Sequence, residues 1–337
     1  MIPATAPAAQ PASPLPDWRE SLRQAFTDAR ELLEALDLGA FADRLPGRDA
    51  GFALRVPRGF VARMRRGDPN DPLLLQVLPQ LAECDDAPGF TEDAVGDLAA
   101  RSAHGVLHKY AGRALLIAAG TCAVNCRYCF RRHFPYSEDI AAANGWREAL
   151  AHVRTDASIR EVILSGGDPL VLSTAKLREF SKGLEAIPHV RALRIHSRLP
   201  VVLPERVDAD FRNWLTALPV RRVIVMHANH PNELDDSVRA ACTHLRDAGT
   251  TLLNQSVLLR GINDDADTLA ALSERLLDCG VLPYYLHQLD RVRGTAHFEV
   301  ADGRARALVE ALRARLPGYL VPRLVREVPG SPGKTPL

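Results

Sequence analysis

Three of the chain's six cysteines stand within eight residues, as Cys122-Ala-Val-Asn-Cys126-Arg-Tyr-Cys129. Thiols crowded in this way point to metal binding rather than disulfides. Three thiolates can ligate three irons of a [4Fe–4S] cubane and leave the fourth iron open to a small molecule; a fourth cysteine, as in electron-transfer clusters, would close that position. The competing assignment is a structural zinc site completed by His133 as a Cys3His set. Zinc knuckles, however, draw their ligands from two separated pairs rather than one C-x3-C-x2-C run. Cys84, Cys242 and Cys279 are isolated and read as ordinary core or surface thiols. A second chemical feature is a scarcity: of 42 basic residues only Lys109, Lys176, Lys182 and Lys334 carry an amine.

The elements that must position these groups start near residue 113. Short β-branched or leucine-rich runs at 114–118, 161–164, 192–196, 222–226, 250–258 and 282–287 alternate with helical stretches at 145–153, 174–186, 210–217, 234–248 and 266–278. Such alternation implies parallel βαβ units. Six units fall short of the eight of a full barrel, so the expected fold is α/β, a partial (β/α)6 TIM-like barrel; a doubly wound open sheet is the competing architecture. The cysteine run falls just past the first strand, where βα barrels carry their active sites. The expected organisation is a disordered tail over 1–16, a helical N-terminal region over 17–100, the barrel over 101–300 and a C-terminal segment over 301–337. Within the second region, Asp17 should open a helix with the apolar face Trp18, Leu22, Phe26, Leu33 and Leu36. A short helix is expected over 73–82, and a last strand over 319–328.

At 337 residues, with 47% hydrophobic and 25% charged residues, the composition is that of a globular protein. A net charge of +1 argues against dedicated binding of nucleic acid or membrane surfaces. The first sixteen residues contain no Lys or Arg, so they lack the positive start of a secretory signal. A cytoplasmic location is the expectation.

The cysteine spacing, with the aromatic Tyr128 before the last cysteine, resembles the signature of radical S-adenosylmethionine (SAM) enzymes. That resemblance implies that the open iron chelates SAM, and that Ser165-Gly166-Gly167-Asp168, after the second strand, contacts it. Paired glycines let backbone approach a ligand closely. The stretches 54–60, 63–64, 67–72, 122–132, 194–204, 254–264 and 284–290, and Gly333-Lys334-Thr335-Pro336, narrow the resemblance to the lysine 2,3-aminomutases, which also use pyridoxal phosphate (PLP).

The family resemblance implies Lys334 as the PLP lysine, Lys109, Tyr110 and Arg198 as PLP-phosphate contacts, and Gln255 as a further cofactor contact. It implies Arg131 for the substrate carboxylate, and Asp290 with Glu327 for the ε-ammonium of L-lysine. The lysine-fermentation enzymes carry Asp where this chain has Glu327. Among the four lysines, Lys176 and Lys182 fall on a helix where exposure is expected, and Lys334 lies in a Gly/Pro frame suited to close approach. Glu327, and a chain ending soon after Lys334, resemble the branch that makes β-lysine for modification of elongation factor P. The partners this implies are elongation factor P, its lysyl-transferring ligase and an electron donor such as flavodoxin. An aminomutase making free β-amino acids remains the alternative.

Overall fold

The computed structural model describes residues 17–47 and 52–337; the tail expected over 1–16 lies outside them. The single helix expected from Asp17 is two, α1 (Trp18–Arg23) and α2 (Ala29–Ala35), followed later by α3 (Arg58–Val61). The break has a local cause. Phe26 leaves the helix to exchange backbone hydrogen bonds with Val56, at 2.8 and 2.9 Å. Asp28 then starts a new helix by accepting from the amides of Arg30 and Glu31. No helix forms over 73–82 either, only turns and a 3-10 turn at Leu81–Cys84. Pro79 can donate no amide there, and the Gln76 amide group is drawn off to the Pro72 carbonyl and Glu233.

Two short antiparallel strands that sequence reading missed, β1 (Arg101–Ala103) and β2 (Val106–Tyr110), lead into β3 (Arg113–Ala119). Lys109 and Tyr110 therefore lie on a strand rather than before one. From β3 onward each strand pairs in parallel with the next: β4 (Glu161–Gly166), β5 (Ala192–Ser197), β6 (Arg221–Met226), β7 (Thr251–Val257), β8 (Leu282–His287) and β9 (Arg323–Arg326). The crossings carry α4 (Arg147–Thr155), α5 (Thr174–Glu185), the short α6 (Leu199–Val202) with α7 (Ala209–Ala217), α8 (Asp236–Asp247), α9 (Ala266–Asp278) and α10 (Asp302–Arg313). Strand order follows chain order without reversal. A doubly wound sheet would reverse at a switch point, so the partial (β/α)6 barrel is the architecture. The last strand is shorter than the expected 319–328 because Gly318–Leu320 forms a 3-10 turn.

Successive strand residues point to opposite faces, and the two faces differ chemically. Val162, Leu164, Leu193, Ile195, Ile224, Met226 and Leu252 join the main hydrophobic core beneath the helices. Leu177, Phe180 and Leu184 of α5 enter the same core, each worth roughly 1.5–3 kcal/mol on burial. The alternate positions face the barrel interior and are mixed, with Ser165, Arg194, His196 and Gln255 standing beside apolar Ile117, Ile163 and Val225. A final strand, β10 (Thr335–Pro336), pairs antiparallel with β9, which leaves β1 and β10 as the sheet edges. Among the described residues no strand pairing closes the seam between them. Side chains bridge it instead, and those side chains belong to the site.

Candidate active site

Cys122 follows β3 by three residues, and its loop is clamped from outside by the N-terminal region. The Asn125 amide donates to the Arg55 carbonyl at 3.0 Å, and that of Arg127 to the Gln76 carbonyl at 2.9 Å. Arg127, fully buried, meets Glu83 in a two-pronged ion pair at 2.8 and 2.5 Å; removing one partner of such a pair costs about 3–5 kcal/mol. The three thiols are free. Burial, reinforced by the charge of Asp168 and the neighbouring cysteines, pushes the Cys122 thiol well above its ordinary range. Burial and Cys126 push Cys129 to about 11.

Thiols held together in this way become thiolates when a metal supplies the missing positive charge, so the donor set fits an iron–sulfur cluster. Zinc fits less well. His133, the fourth ligand a zinc site would need, is exposed, with Nε2 beside the Arg293 carbonyl.

The turn Ser165–Asp168 lies directly on this loop. The Gly167 amide donates to the Ala119 carbonyl at 2.7 Å and that of Asp168 to the Thr121 carbonyl at 2.9 Å. A Cβ on Gly167 would stand 2.4 Å from the Thr121 oxygen, and Gly166 has φ of +112°. The paired glycines thus serve first to seat the turn against the cysteine loop. The Asp168 carboxylate is turned inward, which leaves the backbone of the turn as its face toward a ligand. It is buried and accepts from Ser197 Oγ and from the amides of Leu170, Arg198 and Leu199. It ties the end of β4 to the end of β5, although burial lifts its pKa to about 6.

Arg198 sits on the cluster side. Its guanidinium donates to Cys126 Sγ, Tyr128 Oη, Gln76 Oε1 and Glu233 Oε2, the last at 2.9 Å. These bonds tie Arg198 to the cysteine loop and to Glu233, its buried carboxylate partner. Gln255 lies on β7, half-buried, beside Tyr285 in register.

The remaining expected residues converge around Glu327 and Asp97. Lys334 forms an ion pair with Glu327 Oε2. Tyr110 Oη donates to Glu327 Oε1 at 2.5 Å, and Lys109 Nζ lies 3.5 Å from the same oxygen. Lys109 also reaches Asp97 at 2.6 Å and the Val95 carbonyl at 2.7 Å. Arg131 Nε meets the other oxygen of Asp97 at 2.6 Å, and its Nη1 donates to Ser165 Oγ at 3.2 Å. Lys109 and Tyr110 are thus engaged by carboxylates across the seam of the barrel. Burial alone would raise both acids, but Lys334 holds Glu327, and Arg131 with Lys109 holds Asp97, below the usual carboxylate range. Asp290 feels Lys334, Glu327 and Lys109, yet burial prevails and lifts it to about 6. His196 and His287 face the same interior and are kept neutral, first by burial and then by neighbouring cations, Lys334 among them.

Lys176 and Lys182 are exposed, as expected. Cys84 is exposed, whereas Cys242 and Cys279 are buried. Sequence reading missed Asp97, Glu233, His196 and His287. The two histidines carried a usable signal, since each lies inside a strand at an interior-facing position. Asp97 and Glu233 carried none.

A three-cysteine loop after the first parallel strand, with a glycine turn from the second strand seated on it, is the arrangement that the resemblance to radical SAM barrel enzymes implies. No sequence-family profile matches the chain. It is 50% identical to the L-lysine 2,3-aminomutase of Escherichia coli, over 95% of this chain and 94% of that protein. It is 35% identical to the L-lysine 2,3-aminomutase of Clostridium subterminale, over 95% of this chain and 77% of that one. Among solved structures, a radical SAM methyltransferase from Sphaerobacter thermophilus overlaps 66% of this chain and 68% of its own, at 18% identity and a TM-score of 0.46. The chain belongs to the L-lysine 2,3-aminomutase family, whose members are isomerases. No helix among the described residues is long and apolar enough to cross a membrane.

Proposed function

We propose that this chain converts L-lysine to β-lysine, moving the amino group from Cα to Cβ. When bound, the [4Fe–4S] cluster with SAM supplies a carbon radical that takes hydrogen from Cβ, and PLP lends a π-system to the migrating nitrogen. Cys122, Cys126 and Cys129 would hold the cluster, with the Arg198 cation beside Cys126. The backbone of Ser165–Asp168 would meet SAM, and Lys334 would carry PLP, with Gln255, Lys109 and Tyr110 close to it. Arg131, steadied by Asp97, offers a planar fork to the substrate carboxylate. Asp290 and Glu327 take the ε-ammonium. The interior behind a packed helical shell keeps water from the radicals.

The observation that carries this reading is the convergence of Lys334, Asp290, Glu327 and Arg131 in the barrel that bears the cysteine loop. Glu327, shared with the branch resembled above, supports elongation factor P as the destination of the β-lysine, through its lysyl-transferring ligase. A flavodoxin-like protein would supply the electron.

The ammonium clamp makes a direct test. Only ionised Asp290 attracts an ammonium, so lysine binding should weaken as pH falls through about 6. Asp290→Asn should bind lysine more weakly by about 2 kcal/mol, roughly 30-fold, and should lose that pH dependence. Calorimetric titration across pH 5–8 measures both. Wild-type affinity in Asp290→Asn would defeat the clamp and make a different amino acid the better substrate.

A further inference from the structure

The two oxygens of Glu327 have different tasks. Oε1 is fixed by Tyr110 Oη at 2.5 Å, with Lys109 Nζ at 3.5 Å, both from the strand across the seam. Oε2 faces the other way and takes the ammonium of Lys334. The carboxylate is nearly buried, its side chain 6% exposed, which leaves little room for a second cation at that oxygen. The charges around it already balance: Lys109, Arg131 and Lys334 against Asp97, Asp290 and Glu327.

We propose that Glu327 Oε2 is a single cation seat for which Lys334 and the ω-ammonium of the substrate compete, so that cofactor attachment and substrate binding strengthen one another. This rests on the reading of Glu327 as the ammonium seat. To attach, the Lys334 ammonium first gives up a proton to solvent; the free amine adds to the cofactor aldehyde and water leaves, so the nitrogen is no longer an ammonium on Glu327. Attachment of Lys334 therefore opens the seat, and an ω-ammonium that takes the seat releases Lys334. Linkage requires the two effects to be equal in size. The design keeps lysine from settling in a site that cannot process it. It also gives the longer arm of glutamate a purpose: it spans the seam to Tyr110 while presenting its second oxygen inward.

The probe is 6-aminohexanoate, which has the carboxylate and ω-ammonium of lysine but no α-amine to react. Its affinity is measured by calorimetry for wild type without PLP, wild type loaded with PLP, and Lys334→Met and Lys334→Arg without PLP. PLP loading of wild type is followed in parallel by absorbance, with and without the probe. Loaded wild type and Lys334→Met should bind about tenfold or more tightly than unloaded wild type, the effect of one charge-assisted hydrogen bond. Lys334→Arg, which keeps a cation, should stay weak, and the probe should tighten PLP loading by the same factor. The loaded and unloaded comparison needs no variant, so a folding defect cannot hide the result. Equal affinity in all four samples, with Glu327→Gln still weakening the loaded enzyme, would overturn the competition alone. If Glu327→Gln leaves the loaded enzyme unchanged, the ammonium seat itself is wrong and both readings fall.

Discussion

Alanine at Cys122, Cys126 or Cys129 is expected to abolish SAM cleavage. The thiols are partly buried in a loop held by Arg127–Glu83 and by backbone bonds to residues 55 and 76, and no other cysteine stands in that loop. A cubane short of one thiolate cannot present a stable open iron. Disturbing an outer partner of a metal site costs roughly 10–100-fold, and losing a ligand should cost more. The clamp uses the Arg127 side chain and the amides of residues 125 and 127, none of them a cysteine, so the variants should fold and melt near wild type while losing the brown chromophore. The measurements are iron and sulfide content, visible absorbance and 5′-deoxyadenosine formation under anaerobic conditions. A variant that keeps the chromophore and turns over normally would contradict the cluster assignment.

The second large effect is expected at Lys334. Lys334→Ala should lose the absorbance of attached PLP and turn over no faster than background, while keeping the cluster. The lysine lies just before β10, in a segment held by the short pairing with β9 and by Leu337, whose amide donates to the Leu324 carbonyl, so removing its side chain should leave the barrel standing. Borohydride reduction of the loaded wild type, followed by peptide mapping, should place the pyridoxyl label on Lys334. A label on Lys109 is the most informative failure, because that amine also enters the site, 2.6 Å from Asp97. A label on exposed Lys176 or Lys182 would mean non-specific reaction.

What the sequence revealed and what it hid divide along a physical line. Strands β3 to β8 were legible because parallel strands buried on both faces read as β-branched runs between helices. The cysteines were legible because thiol spacing is local. Lys334 is singled out by the family resemblance, with the rarity of lysine and its Gly/Pro frame beside it, and the labelling experiment above tests its role. The hidden features all depend on distant encounters. Asp97 looks like any acid in an irregular stretch until Lys109 and Arg131 arrive, the latter 34 residues on. Glu233 matters only because Arg198 folds onto it, and nothing near Tyr110 announces an acceptor 217 residues away. Nothing in the Ser165–Asp168 motif announces that the Asp168 carboxylate accepts from the amides that follow β5. The helix over 17–36 failed because a long-range bridge, Phe26 with Val56, outweighed the apolar periodicity.

The central claim is that one barrel uses a cluster-bound SAM, a Lys334-bound PLP and a lysine held between Arg131 and the Asp290–Glu327 pair. Its most direct test is anaerobic incubation of the reconstituted protein with L-lysine, SAM, PLP and dithionite, followed by chiral amino-acid analysis. The account predicts β-lysine as the product, formed only when SAM and PLP are both present and lost in Lys334→Ala. Unchanged lysine in a protein that carries full cluster and PLP, or migration on another amino acid in preference to lysine, would contradict it.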